Sequence, residues 1–452
     1  MTISNTRPSL RHSMFVKLLF VGLLILILLI PLMMVENLVY ERQGRHESVI
    51  QEVSELWGHS QTLIGPILTI PYRSFWKDNE GKTHSQLNKA QFLPAEFKVD
   101  GDIIPEIRSR GIFDVVVYRV NLSVTGTFPH PDLGRWKISP EHILWEEATF
   151  SMGISDTRGI RNALFLNWDK DKMEFLSGAG NNGFFQKGLH VRLPQLASAV
   201  NTPHTFSFDV SLNGNEQLEF VPVGKKTTVN LSASWPDPSF DGAFLPIHHD
   251  ISDTGFHAKW QVSHLGRSYP QYWTTQNRPE IDFYSTEFGV KLLLLVDFYQ
   301  KSERSVKYGI LFILLTFTIF FLFEVLNPLR IHPLQYLMVG FALCLFYVLL
   351  LSISEHLGFS IAYLIACVST IVLIMAYANK ALHSIGRAGI MGLVLSGLYG
   401  YLYVLLHLQD YALLFGAVGL FLILASVMYI TRNIDWYAVN LQASMPESSA
   451  SS

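Results

Sequence analysis

Two blocks of almost uninterrupted apolar residues, one near each end of the chain, constrain its fold more than any other feature of the sequence. A helix needs roughly 20 apolar residues to cross a bilayer core about 30 Å thick. Residues 14–35 meet this requirement once, and residues 305–437 can meet it five times. The chain is 49% hydrophobic but only 16% charged, whereas soluble domains carry about 25% charge. The sequence therefore predicts a multi-pass α-helical membrane protein.

Polar interruptions divide the C-terminal block into five predicted spans joined by short connections. The predicted spans are 305–326, 334–354, 359–378, 388–407 and 411–430. Connections this short predict a five-helix transmembrane bundle with no soluble domain between its helices. At the other end, the apolar run 14–35 continues past Pro31 without the small-residue cleavage pattern of a signal peptide. We therefore predict that this run is a retained transmembrane anchor helix.

Lysine and arginine are concentrated on one side of the predicted spans. With the N-terminus inside, the inner segments carry Arg7, Arg11, Lys17, Arg330, Lys380, Arg387 and Arg432, and the two short outer loops carry none. Positive residues accumulate on the cytoplasmic side of membrane proteins. We therefore predict a bacterial inner-membrane protein with both termini, 1–13 and 438–452, in the cytoplasm. Residues 36–304 then form a periplasmic domain, and the serine-rich tail 438–452 is predicted to be disordered.

Alternation of apolar and polar residues predicts that the exported region is mainly β. Such alternation, typical of half-buried antiparallel strands, occurs in residues 118–125, 206–212, 229–235 and 256–262. Asn213-Gly214 follows one of these stretches and predicts a hairpin turn. We expect a sandwich-like domain between helix 1 and helices 2–6, built as two packed sheets or as one long sandwich with insertions. The glycine-rich stretch near 178–188 leaves a division into two subdomains open.

The segment before these strands has a different period. Apolar residues of 36–60 recur at helical spacing among charged ones. This pattern predicts a helix that continues from the anchor, with Gly58 as its C-terminal cap.

Motifs that suggest chemistry in the exported region favour structural interpretations. Gly178-Ala-Gly180-Asn-Asn-Gly183 fits a dinucleotide-binding pattern, but no convincing helix follows it, so a turn is favoured. His248-His249-Asp250 offers three metal-capable side chains, yet adjacent residues point in different directions, which favours a surface turn after Pro246. No nucleophile-elbow, zinc-protease or Walker motif is present. We predict no catalytic, cofactor-binding or metal-binding residues, although a pair of catalytic carboxylates stays open.

Charge and cysteine content exclude further classes of function. The formal net charge of -3 argues against nucleic-acid binding, which needs a basic stripe to neutralise phosphates. The two cysteines, Cys344 and Cys367, both lie in the apolar C-terminal block. The exported region therefore has no thiol for metal binding or redox chemistry.

Polar and small residues of the C-terminal block indicate packing rather than transport. The ionisable residues of interest lie at predicted helix ends: Glu324 inside, and Glu355, His356, His407 and Asp410 outside. An ion pathway would need charge near the bilayer midplane. Small residues recur every four positions on one helix, at Ala388, Gly392, Ser396 and Gly400. Such a ridge predicts close approach of a neighbouring helix.

Several longer segments resemble the CreD family of inner-membrane proteins, which are described as cell-envelope integrity proteins. The segments that carry the resemblance are 57–72, 235–240, 244–246, 330–336, 354–359, 410–414 and 432–437. The match covers about residues 14–437. The resemblance implies a role in envelope integrity and stress response under a two-component system, with tolerance to colicin on overproduction and β-lactam phenotypes. It implies no catalytic residues.

Three hypotheses of function follow. The leading one is a non-enzymatic inner-membrane protein that supports envelope integrity through its periplasmic domain. Its expected partners are membrane lipids, and envelope proteins or cell-wall precursors are further candidates. A transporter or channel for a lipid-like or small substrate is the alternative, and an envelope hydrolase with an unrecognised site is a third. The sequence leaves the oligomeric state open.

Overall fold

The computed structural model describes residues 14–180, 183–194, 196, 202–293, 298–326, 331–408 and 411–432. The chain divides into two compact units. One, the helical unit, comprises Met1–Arg45 and Val296–Ser452; the other, the β unit, comprises His46–Leu295. The N-terminal segment 1–13, the tail 438–452 and Asp410 lie outside the described residues.

Seven helices occur in the described residues. They are α1 (Met14–Trp57), α2 (Phe298–Lys307), α3 (Gly309–Leu326), α4 (Pro333–Leu357), α5 (Phe359–Ala381), α6 (Ile385–His407) and α7 (Ala412–Thr431). Among these residues five helices are long and apolar enough to cross a membrane, and α2 with α3 makes a sixth if that bent pair is one span. The arrangement of an apolar N-terminal helix, a β unit and further apolar helices confirms the predicted fold class.

The first C-terminal span differs from its prediction as one helix over 305–326. The chain bends by 43° between α2 and α3, so the apolar helix begins at Gly309. Helix α2 buries Tyr299, Ser302 and Val306 and carries four charged residues, whereas α3 is apolar throughout most of its length. At the break the Tyr308 N–H donates to the Ser305 carbonyl at 3.1 Å, three residues back instead of four, and Gly309 follows; kinks occur at such interruptions of the helical hydrogen bonds.

Helix α1 is a single 44-residue helix that ends as the sequence predicts. Gly58 has a φ of +136°, and its N–H donates to the Ser54 carbonyl at 2.8 Å. A Cβ at Gly58 would lie 2.8 Å from the Asn213 carbonyl oxygen. Both the backbone conformation and this close approach require glycine. Residues 46–57 of the helix belong to the β unit.

The β unit contains seventeen strands among its described residues. They are β1 (Gln61–Lys77), β2 (Thr83–Phe92), β3 (Glu96–Arg110), β4 (Phe113–Phe128), β5 (Thr149–Ile154), β6 (Phe165–Trp168), β7 (Asp171–Glu174), β8 (Leu176–Ser177), β9 (Gly188–Arg192), β10 (His204–Asn215), β11 (Gln217–Phe220), β12 (Lys226–Ala233), β13 (Pro238–Gly242), β14 (His248–Ser252), β15 (Gly255–Ser263), β16 (Tyr272–Thr274) and β17 (Phe288–Leu292). The four alternating stretches of the sequence lie in β4, β10, β12 and β15, although β12 ends at Ala233 and not at the predicted residue 235.

These strands form two sheets. The nine-stranded sheet has the order β13-β17-β11-β1-β5-β9-β8, with β2 beside β1 and β16 beside β2; the eight-stranded sheet has the order β14-β15-β12-β3-β4-β10-β6-β7. Pairing is mostly antiparallel, but β1 with β11 and β12 with β3 are parallel. One continuous core contains apolar residues of both sheets, among them Leu63 and Val99. The expected sandwich is therefore present as two packed sheets.

The hairpin predicted at Asn213-Gly214 is wrong. Both residues continue β10, which pairs with β4 as far as Asn215 opposite Val117. A Cβ at Gly214 would collide with the ring of Tyr118, so this glycine makes room for an aromatic side chain on the neighbouring strand. The chain turns one residue later, at Glu216 with φ of +49°.

The glycine-rich stretch near 178–188 joins β8 to β9, two neighbours in one sheet. The β unit is not divided there. Gly178, Gly180 and Gly183 all have positive φ, and no helix follows. Its described residues, 178–180 and 183–187, form turns and bends that lead into β9, where a dinucleotide site would require a helix; Asn181 and Asn182 lie outside the described residues.

Candidate functional site on the polar sheet face

The outer face of the eight-stranded sheet carries short polar side chains across six adjacent strands. Alternation along each strand turns apolar residues into the core and leaves the intervening residues on the opposite face. Strand register places them in two neighbouring rows. The first row is His248, Lys259, Asn230, Asp100, Ser123 and Asp209, and the second is Asp250, His257, Ser232, Asp102, Asn121 and Ser211. We call these two rows the polar face.

Cross-strand hydrogen bonds order the centre of the polar face. Asn230 Nδ2 donates to Asp100 Oδ1 at 2.7 Å, and Ser232 Oγ donates to Asp102 Oδ1 at 2.9 Å. Lys98 Nζ lies 2.6 Å from Asp100 Oδ2. Burial acts to raise the pKa of Asp100, but the hydrogen bonds from Lys98 and Asn230 outweigh it, so the pKa lies below its usual value. Asp100 is therefore an ionised acceptor at neutral pH.

Two shallow depressions of about 400 and 520 Å³ lie side by side on this face and share Asp100 and Gly101. A Cβ at Gly101 would face the core and not the depressions, since it would lie 2.6 Å from a Leu122 methyl and 2.8 Å from a Leu231 methyl. The depressions offer carboxylates, amides, hydroxyls and imidazoles within hydrogen-bonding reach of one ligand. Such an arrangement suits an extended polar ligand held by many weak contacts.

The structure places His248, His249 and Asp250 in the edge strand β14 and not in a surface turn, so that prediction is wrong. The strand forms because these residues pair with β15, His248 opposite Lys259 and Asp250 opposite His257. All five residues of β14 are exposed. Within the described part of the chain, no group of three or more His, Cys, Asp or Glu is placed to hold a metal ion. The histidines instead form one wall of the first depression.

A second polar cluster, which sequence reasoning missed, joins the end of α1 to the sheets. The Asp156 carboxylate, 4% exposed, accepts hydrogen bonds from His59 Nδ1, Arg158 Nε and Arg158 Nη2, each at 3.0 Å. Burial acts to raise the pKa of Asp156, but these hydrogen bonds hold it far below its usual range.

The same cluster reaches the last turn of α1. Arg158 Nη1 donates to the Glu55 carbonyl at 3.4 Å, and Trp57 Nε1 donates to the Tyr118 carbonyl at 3.2 Å. Arg158 Nη2 also lies 2.8 Å from His59 Nδ1, so that ring nitrogen is occupied by structural contacts. We interpret the cluster as a clamp on the helix end. His59 and Asp156 are 97 residues apart, so no local pattern could have paired them.

Glu219 and Glu287 are two acidic residues of the β unit whose pKa values are raised by burial. Burial, followed by the nearby charges of Glu219, Asp282 and Asp241, raises the pKa of Glu287 to about 7. Burial also raises the pKa of Glu219, whose carboxylate accepts a hydrogen bond from Gln217 Nε2 at 2.6 Å. Glu287 therefore titrates near neutrality.

Two acidic residues of the helical unit, Glu324 and Glu355, form ion pairs at helix ends. Glu324 is buried, pairs with Lys17 of α1 and accepts a hydrogen bond from the Ile331 N–H at 3.0 Å. Glu355 accepts a hydrogen bond from Tyr299 at 3.2 Å and lies 3.8 Å from Arg42 Nε. Both carboxylates tie α1 or α2 to the helices that follow. His356 is exposed, and His407 Nδ1 lies 2.9 Å from the Tyr403 carbonyl.

The small-residue ridge of α6 packs over only half its length. Ala388 and Gly392 are buried, and a Cβ at Gly392 would collide with Met375 of α5. Ser396 and Gly400 are exposed, and nothing lies within 4 Å of a Cβ at Gly400. The predicted close approach therefore applies to the first half of the ridge.

Comparison with known proteins places this architecture in a family. The family model "Inner membrane protein CreD" matches residues 13–437. The Inner membrane protein CreD of Escherichia coli (strain K12) is 32% identical over 418 residues, which are 91% of each chain. The match takes in both units, the polar face and the clamp on α1. The chain therefore belongs to the CreD family of inner membrane proteins.

Proposed function

We propose that this protein is a non-enzymatic inner-membrane protein that supports cell-envelope integrity under stress by binding an envelope component at the polar face. The observation that carries the proposal is the polar face itself, which presents two hydrogen-bonded rows of side chains across six strands. Such a surface offers many donors and acceptors to an extended ligand. In this proposal the residues of the face serve recognition of the ligand.

The proposed location of the β unit is the periplasm, with both termini in the cytoplasm. This orientation is supported by the placement of lysine and arginine, including Lys17, Lys380 and Arg432, on one side of the helices. A chain anchored by helices before and after its β unit keeps that unit near the membrane surface. The anchoring raises the effective concentration of the polar face toward ligands at that surface.

The orientation is tested with alkaline phosphatase inserted at the exposed turn at Asp253, between β14 and β15. We expect full enzyme activity, since this reporter folds only in an oxidising compartment. A second fusion carries green fluorescent protein at the same site. Strong fluorescence of this fusion, together with an inactive phosphatase fusion, would place the β unit in the cytoplasm and overturn the proposal.

The role of the polar face is tested by complementing a deletion strain. Asp102→Ala with Asn121→Ala removes an acceptor and an amide from the second row; Asp171→Ala with Gln276→Ala changes matched exposed residues elsewhere on the β unit. We expect the first pair to lose protection against dye entry and β-lactam killing at normal protein abundance, and the control pair to retain it. Full protection by the first pair would contradict the proposal. Loss of protection only on neutralising Glu324 would favour a transporter instead.

A further inference from the structure

An apolar cleft of about 230 Å³ lies between α3, α6 and α7 in the helical unit. Its lining residues are Tyr308, Leu311, Phe312, Leu398, Tyr401, Leu402, Leu405, Ala412, Leu413, Gly416, Ala417, Leu420 and Ile423. The lining of α7 runs from Ala412 to Ile423, twelve residues whose ends lie about 16 Å apart at the helical rise. The cleft is therefore long and narrow.

Helix α7 stands away from the rest of the unit, and this separation creates the cleft. Its buried residues within the described range are Ala412 and Gly419, and Leu413 is 87% exposed. The Tyr401 ring of α6 lies against Gly419, and its hydroxyl donates to the Phe415 carbonyl. A large aromatic ring therefore separates the two helices at this depth.

A cation lies at one end of the cleft. Arg304 Nη2 of α2 donates to the Leu405 carbonyl at 3.3 Å, and the Leu405 side chain lines the cleft. Tyr308, four residues after Arg304, also lines it. The first residues of α3, the last of α6 and the first of α7 meet here. The apolar cleft thus begins beside a guanidinium group, which binds phosphate through paired N–H donors.

We propose that this cleft binds one anionic phospholipid, with an acyl chain between the helices and the phosphate beside Arg304. An unfilled apolar gap forfeits dispersion contacts, and acyl chains are the surrounding solvent of an inner-membrane protein. The charge of Arg304 selects the headgroup. This site is independent of the function proposed for the β unit.

The test uses the full-length protein in phosphatidylcholine nanodiscs that contain a trace of phosphatidylglycerol with a diazirine on one acyl chain. Photolysis and peptide mapping should place most label on α3, α6 and α7 at cleft residues. Gly416 lines the cleft and nothing lies within 4 Å of a Cβ there, so Gly416→Leu puts a side chain into the cleft. We expect this variant to lose labelling of cleft peptides about ten-fold.

Gly400→Leu is the matched control. It makes the same change on α6, also in open space, at a position outside the cleft lining. We expect its labelling to equal that of the native protein. Equal labelling of Gly416→Leu and Gly400→Leu, or label spread evenly over all lipid-exposed helices, would overturn the site.

Arg304 gives a second measurement that does not depend on filling the cleft. We expect Arg304→Gln to lower cleft labelling by the phosphatidylglycerol probe about five-fold and to leave labelling by a phosphatidylcholine probe unchanged. Arg304→Lys keeps the charge and should keep the preference for the anionic probe. Equal preference in the glutamine and lysine variants would refute the role of Arg304. These outcomes leave the envelope role of the polar face untouched.

Discussion

The two units of this protein use apolar residues in opposite ways. In the β unit, large side chains such as Trp168 and Trp260 are almost completely buried, because water drives them into the core. In the helical unit, residues such as Leu413 and Phe421 are mostly exposed, because lipid is as apolar as they are. The exposed fraction of apolar side chains therefore reflects whether a unit is surrounded by water or by lipid, and not its stability alone.

Specific contacts replace the hydrophobic effect in the helical unit. Gly340 of α4 leaves space for Leu28 of α1, which is fully buried. The ion pair of Lys17 with Glu324 joins α1 to α3. Close approach at glycine and satisfied polar groups hold helices together where burial contributes little. The comparison predicts that cavities are the costliest defect in the β unit and that overfilled contacts are costly between the helices.

We expect the greatest loss of stability from a substitution that leaves a cavity in the core of the β unit. Trp260 is fully buried, its ring lies beside Phe240 and Phe288, and its Nε1 donates to the Phe244 carbonyl. Trp260→Ala should lower the free energy of unfolding of the β unit by about 3–5 kcal/mol. Trp76→Ala, at a half-exposed site, should cost less than about 1 kcal/mol. Urea denaturation of the full-length protein, followed by pulse proteolysis, measures the free energy of unfolding of both variants. Equal losses in the two variants would contradict the expectation that cavities are the costliest defect in the β unit.

An intermediate effect is expected from overfilling a helix contact. Gly392→Leu drives a side chain into Met375 and should destabilise the helical unit by about 1–3 kcal/mol. Gly400→Leu meets open space on the same helix, and leucine has the higher helix propensity, so its cost should be near zero. The readout is helicity in detergent as the mole fraction of dodecyl sulfate rises. A destabilising Gly400→Leu would show that the exposed half of the ridge also packs in the membrane.

The smallest expected effect is electrostatic and confined to the β unit. The pKa of Glu287 is about 7 in the folded protein, against an ordinary value of 4.5. Between these two pH values the folded state therefore holds a proton on Glu287 that the unfolded state has lost. Stability from this group is thus complete at low pH and falls as the pH rises toward 7. Glu287→Gln cannot ionise and should stabilise the β unit by about 1 kcal/mol at pH 8, allowing for solvent screening.

At pH 4 the same substitution should change stability little, because native Glu287 is then protonated in both states. The thermal midpoint of the β unit at the two pH values measures the difference. An equal shift at pH 4 and pH 8 would show that Glu287→Gln acts through packing and not through charge.

The order of helices and strands along the chain can be predicted from the sequence alone. Apolar runs located the helices, and two-residue alternation located the strands of residues 118–125 and 256–262, since both signals are periodic along the chain. Gly58 marked the end of α1, because a left-handed cap is a local requirement. Local sequence signals gave the wrong structure where a contact distant in sequence determines it. Asn213-Gly214 continues a strand because the Tyr118 ring of the neighbouring strand packs against the glycine.

The polar face, the clamp and the cleft depend on contacts between residues far apart in the sequence. Asn230 meets Asp100 across 130 positions of sequence, and His59 meets Asp156 across 97. Strand register and sheet packing bring such pairs together, and a register shift of one residue would turn every side chain of a strand to the other face. The cleft beside α7 likewise depends on the Tyr401 ring between two helices. Sequence periodicity specifies which face of an element is apolar, and packing specifies what that face meets.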